Sequence, residues 1–289
     1  MPFPSDLDSV DRIRVLQEAS GVVALWKPAG WPTQAPPGIP SVESWLRDRL
    51  SSAGTAGYLG VPHRLDRAVS GVLLLATTPR AARQLSRQFE RRQVRKRYLA
   101  IVMNAGGDRD VPPAPGTKAV WRDFIEKIPD RAQARLVAAD AAGGREAVTE
   151  VQLLTALTNA QFLLELAPLT GRMHQLRLQA ASRGLPIVGD DLYGTPRADW
   201  PAASDAEQAE ADRRSRPIAL HAWQIGYTDP DSREAILIEA PLPTYWPAAT
   251  RDIEDACAAS TGGEGPPMPR EPAYADKRSQ DGEAKSASE

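Results

Sequence analysis

The sequence predicts an α+β fold: a mixed, largely antiparallel central sheet with flanking helices and loops. Three observations predict it. Strand-like and helix-like stretches interleave without the regular βαβ alternation of a parallel sheet. Residues 145–157 and 160–169 read as two strands separated only near Asn159, the pattern of an antiparallel hairpin. A last pair, about 220–228 and 235–240, is turned by Asp229-Pro230-Asp231.

The other elements follow in chain order. Residues 1–20 read as an N-terminal extension to a domain over 21–250. VVALWK (22–27) is a short buried strand, ended by Pro28 and Gly30. The prolines of WPTQAPPGIP (31–40) exclude a helix. Ser41 then caps a helix running to about Leu50. GVLLLATT (71–78) is apolar enough for a buried strand. From Pro79 to about Arg92 the apolar residues Ala82, Leu85 and Phe89 recur at helical spacing, and Pro79 suits a first helical turn. RYLAIVM (97–103) is a further strand, and 104–118 a loop of Gly, Pro and charge. A helix spans Met173 to about Ser182, closed by Gly184. Residues 195–217 read as a surface insertion, and 251–289 as a disordered tail, poor in apolar residues from Thr261 onward.

Composition narrows the function classes. One cysteine excludes a disulfide framework or a cysteine-rich zinc site, and three histidines (His63, His174, His221) argue against a histidine metal cage. No apolar run approaches the roughly 20 residues that span a bilayer. The first residues lack the basic start and apolar stretch of a signal peptide, so a cytoplasmic protein is expected. The net charge of −2 hides an uneven distribution. Residues 251–289 hold nine acids and five bases, which leaves +2 for the rest. RRQVRKR (91–97) holds five bases and no acid, and 199–212 five acids and no base. A basic run of that density is either a solvated helix end or a set of phosphate contacts.

Three segments carry chemistry. In HRLDRAVSGVLLLA (63–76), His63, Arg64, Asp66 and Arg67 crowd into five residues just before a core strand. Loops at strand ends are where a rigid scaffold presents reactive groups. An aspartate there can be a nucleophile, a base or half of a structural salt bridge. In LTGRMHQLRLQAASRGLPIVGDDLYG (169–194), Thr170-Gly171 breaks a strand, and Arg172, His174, Gln175 and Arg177 open a helix. Arg172 and Arg177 are five apart and need not share a helix face, so both reach one pocket only if Arg172 lies on the turn before the helix. KRYLA (96–100) puts Tyr98 at a strand start, after the basic run.

These segments together resemble the RluA-type RNA pseudouridine synthases. HRLD followed by SG and a leucine run resembles that family's signature. WKPAGWPTQ (26–34), KRYLAIV (96–102), TGRMHQLR with PIVGDDLYG, and LHAWQIGYTDP with APLP resemble its other motifs, in the family's order over about 20–245. Two features depart from the pattern: Ala68 and Val69 replace an acidic residue and a threonine, and only about 20 residues precede the first matching strand, where many members carry a small RNA-binding module. RNA recognition is therefore expected from the catalytic domain, its insertions or a partner.

The resemblance implies a pseudouridine synthase fold with a cleft across the sheet, isomerisation of uridine in ribosomal or transfer RNA, and neither metal nor cofactor. It implies Asp66 as the catalytic aspartate, attacking C1′ or removing the C2′ proton. Arg177 would pair with it, bidentately, and Tyr98 would stack on the flipped uracil and help remove the C5 proton. Arg64 would fill the vacated space in the RNA. His63 is expected to order the loop and His221 to pack. His174 and Gln175 would support Arg177 or touch the RNA backbone, with Arg172 beside them. Arg91, Arg92, Arg95 and Lys96 would meet phosphates near the pocket. The competing readings are a non-catalytic RNA-binding or ribosome-assembly factor, and a hydrolase using Asp66 with His63. The latter lacks the second carboxylate that glycoside hydrolysis usually uses. Oligomeric state is not readable, a monomer being the default.

Overall fold

The computed structural model describes residues 12–55, 57–105, 115–158, 160–194 and 216–250. The expected tail, most of the expected insertion and the start of the expected extension lie outside the described residues. Ten strands form one sheet: β1 (Arg14–Ala19), β2 (Val22–Lys27), β3 (Ser70–Ala76), β4 (Arg95–Met103), β5 (Lys118–Lys127), β6 (Ala134–Val137), β7 (Arg145–Ala156), β8 (Gln161–Pro168), β9 (Leu220–Thr228) and β10 (Ala235–Glu239). Their order is β1-β2-β3-β9-β4-β8-β7-β5-β6, with β10 also pairing β9. Among the described strands only the short β3–β9 contact is parallel. The α+β class, the mixed sheet and the two hairpins are as expected.

Local chemistry explains the elements that position the site. Every residue of β2 and β3 is buried, as a continuous apolar run requires of strands covered on both faces. Helix α1 (Val42–Ser52) starts at a reciprocal cap: the Ser41 hydroxyl accepts from Ser44 N–H, and Ser44 Oγ accepts from Ser41 N–H. Helix α2 (Pro79–Glu90) is capped by Thr78 and buries Ala81, Ala82, Leu85 and Gln88. It stops two residues before the expected Arg92. The Gln93 N–H bonds the Gln88 carbonyl at 2.8 Å and the Arg92 N–H bonds the Phe89 carbonyl at 3.1 Å. Arg92 itself takes the left-handed conformation (φ 58°) that this helix ending needs. Helix α3 (Gln175–Ser182) begins after the expected Met173, following His174, which is also left-handed.

Three strands were not foreseen. β1 lies inside the stretch read as an extension, and β5 and β6 fill residues that carry no clear pattern. β1 and β6 sit at the two ends of the strand order, and β5 is polar on much of its surface. Their identity comes from pairing with distant partners rather than from local alternation.

Two contacts fix β3 against β9 directly behind the HRLD loop. His221, fully buried, gives one ring nitrogen to the Ala240 carbonyl (3.0 Å), so its Nδ1 accepts from the Ser70 hydroxyl (2.8 Å). Burial holds its pKa down to about 4, which suits this packing role. Gly71 has φ 121°, and a Cβ there would overlap the Ala222 carbonyl. The Gly71→Ala variant is therefore expected to lose about 2 kcal/mol or more of stability. An unchanged urea midpoint would refute the close approach.

Candidate active site

The loop before β3 is stitched to the loop after β2. Gly30 N–H bonds the Arg67 carbonyl and Arg67 Nε bonds the Gly30 carbonyl, both at 2.8 Å. The Thr33 hydroxyl donates to the Leu65 carbonyl (3.0 Å) and accepts from Leu65 N–H (3.2 Å). Beneath them lies Lys27, fully buried at the end of β2. Its Nζ donates to the carbonyls of Pro28, Arg67 and Val69 at 2.9, 3.2 and 2.6 Å. Three carbonyls match the three N–H donors of an ammonium. Burial pushes the Lys27 pKa down to about 7, opposed by the charge of Asp66 and reinforced by that of Arg67. His63 accepts from Leu74 N–H (2.9 Å) and stacks on Phe89 of α2, 4.5 Å between ring centres. Its pKa falls to about 3, through burial first and then Lys96. His63 is thus packed as a neutral acceptor that ties this loop to β3 and α2.

What the loop presents is Asp66, its side chain 35% exposed. Arg64, two residues earlier, is exposed. Facing Asp66 is the segment 170–193. Arg177 Nη1 lies 3.6 Å from Asp66 Oδ2, and His174 Nε2 lies 3.7 Å from the same oxygen. Both separations exceed a good hydrogen bond, so the carboxylate remains open to a ligand.

The bidentate partner of Arg177 is not Asp66 but Asp190. Arg177 Nε and Nη2 each meet an Asp190 oxygen at 2.7 Å, and Asp190 is buried. The reason is local: Leu192 and Tyr193 N–H groups hold Asp190 Oδ1, at 3.0 and 3.3 Å, and so aim the carboxylate. Asp190 thus takes two nitrogens of the guanidinium along one edge and leaves the third, Nη1, for Asp66. Burial opposes the charge on Arg177, but the hydrogen bonds and charge of Asp190, then Asp66, outweigh it and hold its pKa up. Tyr193 completes the wall. Its ring lies under the guanidinium, 5.1 Å from ring centre to Cζ, and its hydroxyl meets His174 Nδ1 at 2.7 Å. Burial, with Arg177, lowers the His174 pKa against the pull of Asp66 and Asp190.

Gln175 is not a surface contact. Its Oε1 accepts from the Thr170 hydroxyl (2.7 Å) and Arg172 N–H (3.0 Å), and its Nε2 donates to the Val148 carbonyl (3.1 Å) and Thr149 Oγ1 (2.9 Å). Every hydrogen-bonding valence that counts is used internally, which braces the turn carrying Arg172. Arg172 does lie on that turn, before α3, with Nε on the Glu146 carbonyl at 2.9 Å.

Side chains alternate along β4, and this splits the basic run. Arg97 points away from the site: it pairs with both oxygens of Glu165, bonds Gln224 Oε1 at 2.9 Å and lies over Trp223. Lys96 and Tyr98 point the other way. Lys96 Nζ donates to the Thr170 carbonyl (3.3 Å), and its pKa drops to about 8 through burial and then Arg92. Burial, followed by the charge of Asp66, raises the Tyr98 pKa, so Tyr98 stays a neutral phenol. The Arg172 pKa is lowered by burial, then by Arg92 and Arg145, against Glu146. Arg92, Lys96, Arg145 and Arg172 therefore gather like charge on one rim. Arg91 and Arg92 are exposed and Arg95 is half-buried.

Sequence reading missed Lys27, Arg145, Asp190 and Tyr193. The segment PIVGDDLYG held a signal for two of them, a carboxylate and a phenol after a tight turn. Among the described residues, no cluster of His, Cys, Asp and Glu is placed to hold a metal, and no helix is long and apolar enough to cross a membrane.

The model of one protein family, RNA pseudouridylate synthase, matches residues 21–182. The chain belongs to that family. It is similar to the ribosomal large subunit pseudouridine synthase D of Nitrosomonas europaea, 32% identical over 251 residues, covering 84% of this chain and 66% of the relative. It is 34% identical over 233 residues to the ribosomal large subunit pseudouridine synthase C of Rickettsia bellii, covering 80% and 69%. It is 31% identical over 256 residues to the tRNA pseudouridine synthase C of Salmonella typhimurium, covering 81% and 87%. Among solved structures it resembles human RNA pseudouridylate synthase domain containing 4, with a TM-score of 0.60 and 26% identity over 80% of this chain and 89% of that one. The family match contains Asp66, Tyr98 and Arg177, whereas Asp190 and Tyr193 lie beyond it.

Lys27 makes a pH prediction for this family member. Its folded pKa is depressed, so between about 7 and 10.5 the unfolded chain binds more protons, and stability rises with pH across that window. The contribution is at most about 1.4 kcal/mol per pH unit. Lys27→Met should remove it, read as the difference in urea unfolding between variant and wild type from pH 7 to 10. Equal slopes would show that Lys27 does not titrate there.

Proposed function

We propose that this chain isomerises uridine to pseudouridine within ribosomal or transfer RNA, in the cytoplasm. The observation that carries the reading is one carboxylate, Asp66, left open beneath Arg177 while Asp190 locks that arginine from behind. A purely structural ion pair would close on itself, as Arg97 does with Glu165. The relatives are named for ribosomal and transfer RNA, which supplies the substrate class.

In this reading the C1′–N1 bond breaks, the uracil turns, and C5 joins C1′. N1 gains a proton and C5 loses one, so the atoms balance with no redox change and no hydrolysis. Asp66 either attacks C1′ or takes the C2′ proton. Arg177 fixes the direction of the carboxylate. Tyr98, kept a neutral phenol by burial and by Asp66, offers a stacking face and an O–H donor. A uridine in a stem or tight loop must first leave the stack, at a cost of a few kcal/mol. Arg64, exposed two residues before Asp66, would occupy the space it leaves. The cationic rim of Arg92, Lys96, Arg145 and Arg172 would hold phosphates beside the flipped nucleotide.

Tritium release from RNA labelled at uridine C5 tests this reading. Wild type should release tritium from unmodified cellular RNA, and Asp66→Asn should lower the rate by at least about a thousandfold. No release by wild type would leave an RNA-binding factor as the better reading. Full activity in Asp66→Asn would reject the site. Arg177→Lys should reduce the rate about a hundredfold, because an ammonium cannot hold both Asp190 oxygens and still reach Asp66.

A further inference from the structure

We propose that the outer face of α2, together with Tyr58, is a second RNA-docking track that holds the strand flanking the target uridine. This rests on the isomerase reading and extends the binding surface beyond the rim already described.

Arg83, Arg87 and Arg91 are spaced four residues apart and fall on one side of α2 and its end. All three are exposed, and none forms an ion pair with another described residue. Their neighbour Arg80, by contrast, pairs with Asp231 at 3.2 Å. Like charges at this spacing weaken a helix, and the fold does not need them, since α2 is anchored through Ala81, Ala82, Leu85 and Gln88. An exposed stripe of guanidinium groups is suited to a run of phosphates.

A recess lies beside the stripe. It is shallow and open to solvent, about 320 Å³, and is lined by Tyr58, Ala82, Arg83, Ser86, Arg87 and Glu90. Tyr58 is 45% exposed, so much of its ring is open to solvent. The recess thus offers a flat ring, two cations, a hydroxyl and one carboxylate. Glu90 would repel a bare phosphate but accepts N–H groups from a base edge. That set fits a whole nucleotide, with the base against Tyr58 and its phosphates on Arg83 and Arg87.

The C-terminal end of α2 reaches the Asp66 loop, where Phe89 stacks on His63. The Gly60–Ala76 pairing (2.8 and 2.9 Å) fixes the Tyr58 segment beside the C-terminal end of β3, from which α2 starts. Tyr58 and Asp66 are eight positions apart, a span of about 28 Å at most. At the other end, the left-handed turn at Arg92 delivers the chain to Lys96 and the rim. In the proposed track one RNA strand runs from the recess along Arg83, Arg87 and Arg91 to the rim.

The test uses the full chain and C5-tritiated, unmodified cellular RNA. It combines tritium-release kinetics with filter binding over a salt series. Arg83→Ala/Arg87→Ala should raise KM and Kd at least tenfold with kcat within twofold, and flatten the slope of log affinity against log salt by about 1.4, the release expected for two single-strand phosphates. Tyr58→Ala should raise KM about tenfold, and Tyr58→Phe should restore it. On a minimal stem-loop ending a few nucleotides from the uridine, all these variants should match wild type. Unchanged KM, Kd and salt slope in the double variant, with wild type active, would overturn the track and leave the isomerase reading standing. A wild type that releases no tritium would sink the isomerase reading, and the binding arm alone would then decide the track.

Discussion

Much of this structure hangs on the buried amino group of Lys27. It is buried without a carboxylate partner in contact, and three backbone carbonyls surround it. Those carbonyls come from two different loops, so a single amino group holds the end of β2, the Pro28–Thr33 segment and the Asp66 turn in one arrangement. An apolar side chain would leave carbonyl groups unsatisfied in a dry interior. An arginine, with its planar fork, would not converge three donors on so small a space. The cost of desolvating Lys27 appears in its depressed pKa, and Asp66 nearby offsets part of it. The aspartate's position and the lysine's charge are therefore mutually dependent.

The opposite wall solves a different problem. A buried arginine needs compensation, yet the reading proposed for Asp66 requires that carboxylate to stay accessible. Asp190 resolves the conflict by taking the bidentate geometry, and Tyr193 adds its ring beneath the guanidinium and a hydroxyl to His174. Gln175 braces the turn from inside through four hydrogen bonds. The site is thus built from a rigid, self-satisfied frame around one incompletely satisfied carboxylate.

Charge is sorted by the same geometry. The basic run of 91–97 is one feature in sequence but three in space. Arg91 and Arg92 leave the end of α2 toward solvent, Lys96 shares a β4 face with Tyr98, and Arg97 is neutralised on the other face. Strand alternation makes this division, and the left-handed turn at Arg92 sets where it begins. The −2 total of the chain conceals all of it.

The α+β class, the hairpins, the buried strands β2 and β3, and helices α1 and α2 were legible in the sequence, because caps, turns and apolar runs are local signals. Motif order also singled out Asp66, Tyr98 and Arg177, and the place of Arg172 before α3 followed once the helix start was known. Strands β1, β5 and β6 were not legible, since their pairing partners are remote and their own patterns weak. Nor was the choice of Asp190 over Asp66 as the clamp on Arg177, the burial of Gln175, or the meeting of Arg92, Arg145 and Arg172. Each of those depends on which distant residues a strand register or tight turn brings within a few ångströms. Sequence determines which chemistry is available and where local structure starts and stops. Only the tertiary structure decides which groups neutralise one another and which are left free to react, because electrostatic and hydrogen-bond partners are chosen by distance in space.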